Sequence, residues 1–176
     1  MEEDILISGG ISGAITDIES EEALEHAEKY YGFIRKSNTD IDIENIAKNT
    51  GYSYVQIMVI KNYLFLDKHK LINGYRCFNP NFAIAQSWHR LAFSPQNITP
   101  HDLMLLKHES VEIGFIMEGY SQDVAHDKTN KLGYNYQKMV TDYYNILDKE
   151  QNKTNNSLNK YKNTISEEVE EDYGRD

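Results

Sequence analysis

Apolar residues recur at helical spacing along most of the chain, which predicts a succession of amphipathic helices. The first helix is predicted to begin after Ser20, a good N-cap followed by Glu21 and Glu22, and to end at 36–38 among basic residues. Its apolar positions fall on one face and are Leu24, Ala27, Tyr31 and Ile34. The segment therefore has one side to bury against a core and one side to present to water.

The next segment has the pattern of two short helices around a turn at Gly51. Asp40 and Ser53 are the predicted N-caps, and Ser53 with Gln56 has the spacing of a capping box. The arrangement resembles a helix-turn-helix. Since the second helix carries a single positive charge, Lys61, the pair is predicted to serve packing and not DNA binding.

Turn residues and further helical patterns follow. Asn73-Gly74 is a strong turn signal and predicts a small hairpin near 74–78. Further helices are predicted over 81–93, from Thr99 to Gly119, from Ser121 to 131 and over 137–148. The predicted fold class is therefore mainly α: a compact multi-helix domain that contains the helix-turn-helix-like pair and has little or no β.

Three parts are predicted along the chain. Residues 1–18 are an irregular N-terminal arm, 19–149 form the helical domain, and 150–176 are a polar C-terminal tail, either helical against a partner or frayed. The glycines of the arm are not followed by Gly-Lys-Ser/Thr, so a phosphate-binding loop is not predicted.

Composition adds limits on location and partners. The chain has 176 residues, 40% of them hydrophobic, and a formal charge of −10, which argues against a nucleic-acid surface over the whole molecule. Cys77 is the only cysteine, so an internal disulfide is excluded. Without a signal-peptide pattern or a long apolar run, we expect a soluble protein with no membrane partner. It would be cytoplasmic, or virion-associated or exported as part of a larger protein.

Polar side chains are set among apolar ones on the predicted helix 101–118. His108 and Glu112 are four residues apart and therefore adjacent, whereas Glu109 points about 100° away. The opposite face is also apolar, with Leu103, Leu106, Ile113 and Met117. The helix is therefore predicted to be central and buried on two sides, where an imidazole and a carboxylate need partners.

His126 follows on the next predicted helix, and two interpretations of the cluster stay open. In the structural one, His108 and Glu112 satisfy each other inside the core. In the functional one, His108 is the acid or base, Glu112 orients it, His126 is the second acid–base group and Glu109 is a further catalytic candidate. We expect His69, His108 and His126 to converge on one cleft, with at least two of them lining one pocket and Arg76 or Arg90 at its rim.

A basic segment stands out in this acidic chain. Residues 61–90 contain five lysines and arginines against Asp67 alone, a net charge of +4. The predicted phosphate contacts in this segment are Lys61, His69, Arg76 and Arg90. The alternative is that these residues are solvated helix ends and salt-bridge partners. Trp88 could stack a base, although its place on an apolar stripe favours the core.

Metal binding is a further alternative. The string "HESVE" opens like a zincin helix, but Glu112 stands where the second histidine of that motif belongs. His108, Glu112 and His126 could still bind a divalent ion. No other cofactor is predicted.

Several strings, among them "HAEKYYGFIR", "IAKNTGY", "HDLMLLKHESVE" and "GYSQDVAH", resemble an α-helical module at the C-terminus of phage head-morphogenesis (minor head) proteins and in toxin-like proteins of low-GC Gram-positive bacteria. The likeness runs from about Gly9 to Tyr136. The polar positions that the resemblance marks are His26, Arg35, Lys61, His69, Arg90, His108, Glu109, Glu112 and His126. Tyr63 stands where another histidine is expected.

The resemblance implies an effector or toxin-like domain. Together with the histidines and the basic segment, it leads to the expectation of a nuclease that cleaves RNA phosphodiesters by His/Glu acid–base chemistry. The alternatives are a non-catalytic α-helical interaction or virion-assembly module and a divalent-metal-dependent hydrolase. The expected partner is RNA or a protein, such as an immunity or virion protein.

Overall fold

The computed structural model describes residues 15–173, with side chains through residue 159. The described part is mainly α, as the sequence predicts, and its strands form one two-stranded sheet. The elements are α1 (Glu21–Lys36), α2 (Ile41–Thr50), α3 (Tyr54–Lys61), a π-helical turn (Asn62–Leu66), β1 (His69–Leu71), β2 (Gly74–Arg76), α4 (Phe82–Phe93), a 3₁₀ turn (Pro95–Asn97), α5 (Pro100–Met117), α6 (Gln122–Lys131) and α7 (Tyr136–Tyr173).

Local sequence signals set the ends of these helices. The Ser20 hydroxyl accepts a hydrogen bond from the Ala23 N–H at the start of α1. Ser53 and Gln56 form the predicted capping box of α3. Gly51 ends α2 with a φ of 79°, a left-handed conformation that side chains with a Cβ rarely adopt. The predicted helix-turn-helix-like pair is therefore present as α2 and α3, which pack on each other.

The core lies around α4, which packs against α1, α2 and α5. Trp88 of α4 is fully buried, and its indole N–H donates to Asp42 Oδ2 of α2 at 2.9 Å. The core interpretation of Trp88 is thus confirmed. On its other sides α5 packs against α3, α6 and α7, so its polar residues are enclosed between α4 and the two following helices.

Some boundaries differ from the sequence predictions. The hairpin was predicted near 74–78 but begins at His69. Its strand β1 pairs antiparallel with β2 through Leu71↔Gly74 and His69↔Arg76. The last helix continues without a break past 149 through Tyr173. Of the predicted arm, residues 1–14, with their glycines, lie outside the described residues, whereas Ile15 packs into the core.

The prediction that α5 is buried on two sides holds for its middle and fails towards its ends. Leu105 on the His108 face and Leu106 on the opposite face are both fully buried, whereas Leu103 is exposed and Met117 is 83% exposed. The opposite face of α5 therefore meets water at Leu103 and Met117. None of the helices in residues 15–173 combines the length and apolarity needed to cross a membrane.

Candidate metal centre

His108, Glu112 and His126 converge at one point between α5 and α6. His108 Nε2 lies 3.0 Å from Glu112 Oε2, and His126 Nδ1 lies 2.8 Å from the same oxygen. The two imidazole nitrogens are 3.2 Å apart. The i, i+4 spacing on α5 places the first two side chains together, and α6 brings the third over them. Two of the three histidines expected in one cleft, His108 and His126, line the same cleft, and His69 does not.

The orientation of His108 is set by a backbone carbonyl. Its Nδ1 lies 2.6 Å from the Tyr134 carbonyl oxygen, in the turn before α7. A carbonyl can only accept, so Nδ1 carries the proton and donates it. In the neutral imidazole the lone pair of Nε2 therefore points at Glu112 and His126. Metal-binding histidines are typically held in this way, with the second nitrogen donating to a carbonyl or carboxylate.

Glu112 is held from its other side by Tyr63. The Tyr63 hydroxyl donates to Glu112 Oε1 at 2.6 Å, so Oε2 alone faces the two histidines. Tyr63 comes from the π-helical turn, 49 residues earlier in the chain. Sequence reasoning missed this contact, although the resemblance had drawn attention to position 63. π-Helical turns are rare and are frequent at functional sites, which is the one signal that the local structure adds.

The acidic groups of this region differ in their pKa. Burial raises the pKa of Glu109 to about 8, and the charge of Glu112 acts in the same direction. Burial also acts to raise the pKa of Glu112, but hydrogen bonds from His108, Tyr63 and His126 outweigh it and hold that pKa below its usual value. Burial acts to lower the pKa of His108, whereas its bonds to Glu112 and Tyr134 raise it overall. The carboxyl group of Glu112 therefore loses its proton more readily than that of Glu109.

A cleft of about 380 Å³ opens onto the cluster. His126 forms part of its wall, with half of its side chain exposed, whereas His108 and Glu112 are buried. Glu109 also lines the cleft, and no hydrogen bond to its carboxyl group is found among the described residues. The cluster is therefore open to a ligand from one side, with a carboxyl group free for that ligand.

The three converging atoms fit a divalent metal ion. Nitrogen and carboxylate ligands bind Zn²⁺ at about 2.0–2.2 Å, which places the ligands of one coordination face about 3.0–3.5 Å apart. Of the observed separations, 3.0 and 3.2 Å fall within that range and 2.8 Å lies just below it. Two imidazoles and one carboxylate also form the ligand set of several catalytic zinc and iron sites, which keep a position open for water.

The predicted phosphate contacts lie elsewhere. Lys61 is 4% exposed and paired with Asp42 at 2.8 Å, and Arg90 is 5% exposed and paired with Asp102 at 2.7 Å. Arg76 is hydrogen-bonded to Asn79, which lines the cleft, but Arg76 itself does not. None of the three is brought to the cleft, and the charges of Lys61 and Arg90 are used by carboxylates inside the fold.

His69 lies next to the cleft. Its ring stacks on Phe78 with the ring centroids 4.1 Å apart, and its Nε2 donates to the Tyr63 carbonyl at 2.8 Å. It lines an adjoining groove of about 590 Å³, which shares Tyr63 and Gln122 with the cleft. His69 thus supports the turn that carries Tyr63 and is not one of the converging ligands.

No protein-family model, curated protein or solved structure matches this chain. The assignment of a function therefore depends on the geometry of the cleft.

Proposed function

We propose that the chain is a hydrolase that depends on a divalent metal ion held by His108, Glu112 and His126. The observation that carries this proposal is the convergence of three ligand atoms within 3.2 Å, with the His108 lone pair directed to their common point by Tyr134. When bound, the ion would supply Lewis acidity that makes a water molecule nucleophilic near neutral pH and polarises the substrate.

Glu109 is the proposed proton acceptor. It is adjacent to His108 in the chain, lines the same cleft and has no hydrogen bond to its carboxyl group within the described part of the chain. In its ionised form, which predominates above the pKa of about 8, the carboxylate can take a proton from the attacking water and return it to the leaving group. Glu112, by contrast, is fully engaged by Tyr63 and the two histidines.

The metal-free nuclease expected from the sequence is less well supported. An acid and a base on opposite sides of a phosphorus atom must each reach a different oxygen, which requires two nitrogens separated widely enough for the phosphate to lie between them. His108 Nε2 and His126 Nδ1 are 3.2 Å apart, with Glu112 Oε2 in contact with both. This geometry suits the sharing of one ion better than the flanking of a phosphate.

The resemblance to phage-associated and toxin-like modules extends the proposal to an effector role. A hydrolase with such a role would damage a component of the cell in which it acts. Induced expression in a bacterium is the corresponding test: we expect growth arrest with the wild-type chain and none with Glu109→Gln. Equal growth of both cultures would argue against the effector role and would leave the metal chemistry to be judged separately.

Hydrolysis itself is tested with purified protein and a mixed panel of peptide, ester, glycoside and phosphodiester substrates. We expect turnover of at least one class in the presence of Zn²⁺ or Mn²⁺, loss of turnover with a chelator, and recovery when the metal is returned. Glu109→Gln is expected to bind the metal as the wild type does and to lose turnover. Activity that survives the chelator would contradict the proposal.

A further inference from the structure

We infer that the cleft takes an uncharged peptide segment and that the bond cleaved is a peptide amide. This inference rests on the proposed metal-dependent hydrolase and names its substrate class. The first observation is the charge of the lining. Among the described residues that line the cleft none is lysine or arginine, and Glu109 and Glu112 are both acidic. Phosphodiester chains are bound through lysine and arginine, so this lining does not suit them.

The second observation is the hydrogen-bonding capacity of the wall. Asn79 Oδ1 accepts from the Arg76 guanidinium, and Asn81 Oδ1 accepts from the Ile84 backbone N–H at 3.0 Å. With both oxygens engaged, the side-chain N–H groups of the two asparagines are what remains for a ligand. N–H donors pair with carbonyl oxygens, which a peptide presents at every residue.

The third observation is the apolar surface between these donors. Leu71, Phe78 and Ile84 line the cleft beside the ring of Tyr63. Ligand sites for uncharged molecules combine such apolar walls with a few polar groups that fix orientation. An aliphatic or aromatic side chain next to the scissile bond would be buried here.

The length of the available surface suits an extended chain. The cleft shares Tyr63 and Gln122 with the adjoining groove, whose lining includes Lys70 and Tyr75 of the hairpin. A ligand that occupied both would run from the cluster to the hairpin. Asp67, Lys68 and Lys70 also line the groove, and both lysines are exposed.

The reaction consumes one water molecule and involves no oxidation or reduction. The water oxygen bonds to the peptide carbonyl carbon while Glu109 accepts one of its protons. The carbon–nitrogen bond then breaks, and the proton passes from Glu109 to the leaving nitrogen. The products are a carboxyl group and an amine.

Two substrates distinguish this inference from the RNA expectation. The full chain, loaded with Zn²⁺ or Mn²⁺, is mixed with a fluorogenic peptide of uncharged residues with Leu and Phe at the scissile bond, or with a single-stranded RNA. Binding is measured separately by fluorescence anisotropy on metal-loaded Glu109→Gln, so a slow reaction cannot hide a complex. We expect the peptide to bind and to be cleaved by the wild type, and the RNA to do neither.

Two neighbouring hairpin residues give a matched pair of variants. Leu71→Ala shortens an apolar side chain of the cleft and is expected to lower kcat/KM for the peptide about tenfold, the order found for one or two lost methylenes in an apolar pocket. Ile72→Ala, at the fully exposed tip of the hairpin, is expected to leave kcat/KM unchanged.

The outcomes separate the two proposals. Metal-dependent cleavage of RNA with no binding of the peptide would overturn the peptide inference and would support the hydrolase. Stoichiometric metal binding with no binding of either ligand would also overturn the peptide inference. Failure of the hydrolase proposal itself would appear differently, as a chain that binds no metal or that keeps its activity in chelator.

Discussion

Helix α5 carries two clusters of histidine and carboxylate, two helical turns apart, and they are built differently. In the first turn, Asp102 accepts two hydrogen bonds from Arg90, and Arg90 also donates to His101 Nε2 at 2.9 Å. The positive charge that neutralises Asp102 is thus supplied by a side chain of the protein, Arg90. In the second cluster, His108 and Glu112 meet His126, and no lysine or arginine of the described residues lines the cleft there.

The two clusters differ in whether their buried polar groups are satisfied within the fold. His101 accepts from a guanidinium, so it is held neutral, and its Nδ1–H donates to Thr99 Oγ1 at 2.8 Å. Every polar group of that cluster is used within the fold, as buried ion pairs require. In the second cluster, two imidazole nitrogens and a carboxylate oxygen converge on one point, which a cation can occupy once the imidazole protons have left, and the Glu109 carboxyl group has no hydrogen bond among the described residues. We therefore regard the first cluster as structural and the second as a site for a cation from outside.

The largest effect is expected from breaking the first cluster. Arg90→Ala leaves the fully buried Asp102 without its cation and is expected to lower the free energy of unfolding by about 3–5 kcal/mol. Urea denaturation followed by circular dichroism measures this. Lys138→Ala, which breaks the exposed pair with Asp142, is the control and is expected to change little. A loss of less than about 1 kcal/mol for Arg90→Ala, as for exposed pairs, would contradict the structural interpretation.

A metal ion bound at the second cluster is expected to stabilise the folded chain. Zn²⁺ at one hundred times its dissociation constant is expected to raise the free energy of unfolding by about 2.7 kcal/mol, since the ion binds the folded chain. His126→Ala is expected to abolish this gain, and His69→Ala, in the adjoining groove, to keep it. Thermal melts with and without the ion measure both. If Zn²⁺ stabilises the two variants equally, His126 is not a ligand of the ion.

A smaller effect is expected from the support behind the ligands. Tyr63→Phe removes the hydroxyl that holds Glu112 Oε1 and is expected to weaken metal affinity about 10–100-fold, as changes in such supporting groups usually do. Tyr75→Phe, on the exposed face of the hairpin, is the matched control. Competition with a chromogenic chelator gives both affinities. If the two variants bind equally, Tyr63 serves packing alone.

A pH dependence of stability is also expected from the first cluster. Burial, with the nearby Arg90, lowers the pKa of His101 to about 4 from an ordinary value of 6.5, despite the opposing charge of Asp102. Between these values the unfolded chain binds more protons than the folded one, so stability is expected to fall as pH falls from 6.5 to about 4. His89 acts in the same direction, because burial lowers its pKa to about 4. Urea denaturation at several pH values checks this, and His101→Gln should show a shallower dependence.

The elements of the fold could be predicted because their signals are local. Ser53 with Gln56 and Thr99 with Pro100 each specify a helix start within four residues, and both starts are observed. The last core helix was predicted to stop at 148, whereas α7 continues through Tyr173, in line with the helical alternative for the tail. The tail contains no helix breaker, so no local signal ends the helix at 148.

The candidate site could be predicted in part for the same reason. The proximity of His108 and Glu112 follows from helical spacing, and His126 follows on the next helix. The contact of Tyr63 with Glu112 joins positions 49 residues apart, and that of Arg90 with Asp102 crosses from α4 to α5. Such contacts depend on packing that a single sequence does not display. The sequence alone therefore does not distinguish a buried, paired arginine from an exposed one.

Direct measurement of bound metal tests the central claim. Purified wild-type chain, dialysed to equilibrium against Zn²⁺ or Mn²⁺ and analysed for its elements, is predicted to hold about one ion per chain, and His69→Ala the same. Glu112→Ala is predicted to hold none while keeping its helical circular-dichroism spectrum. A wild-type chain without bound metal, or a Glu112→Ala chain with as much as the wild type, would contradict the account.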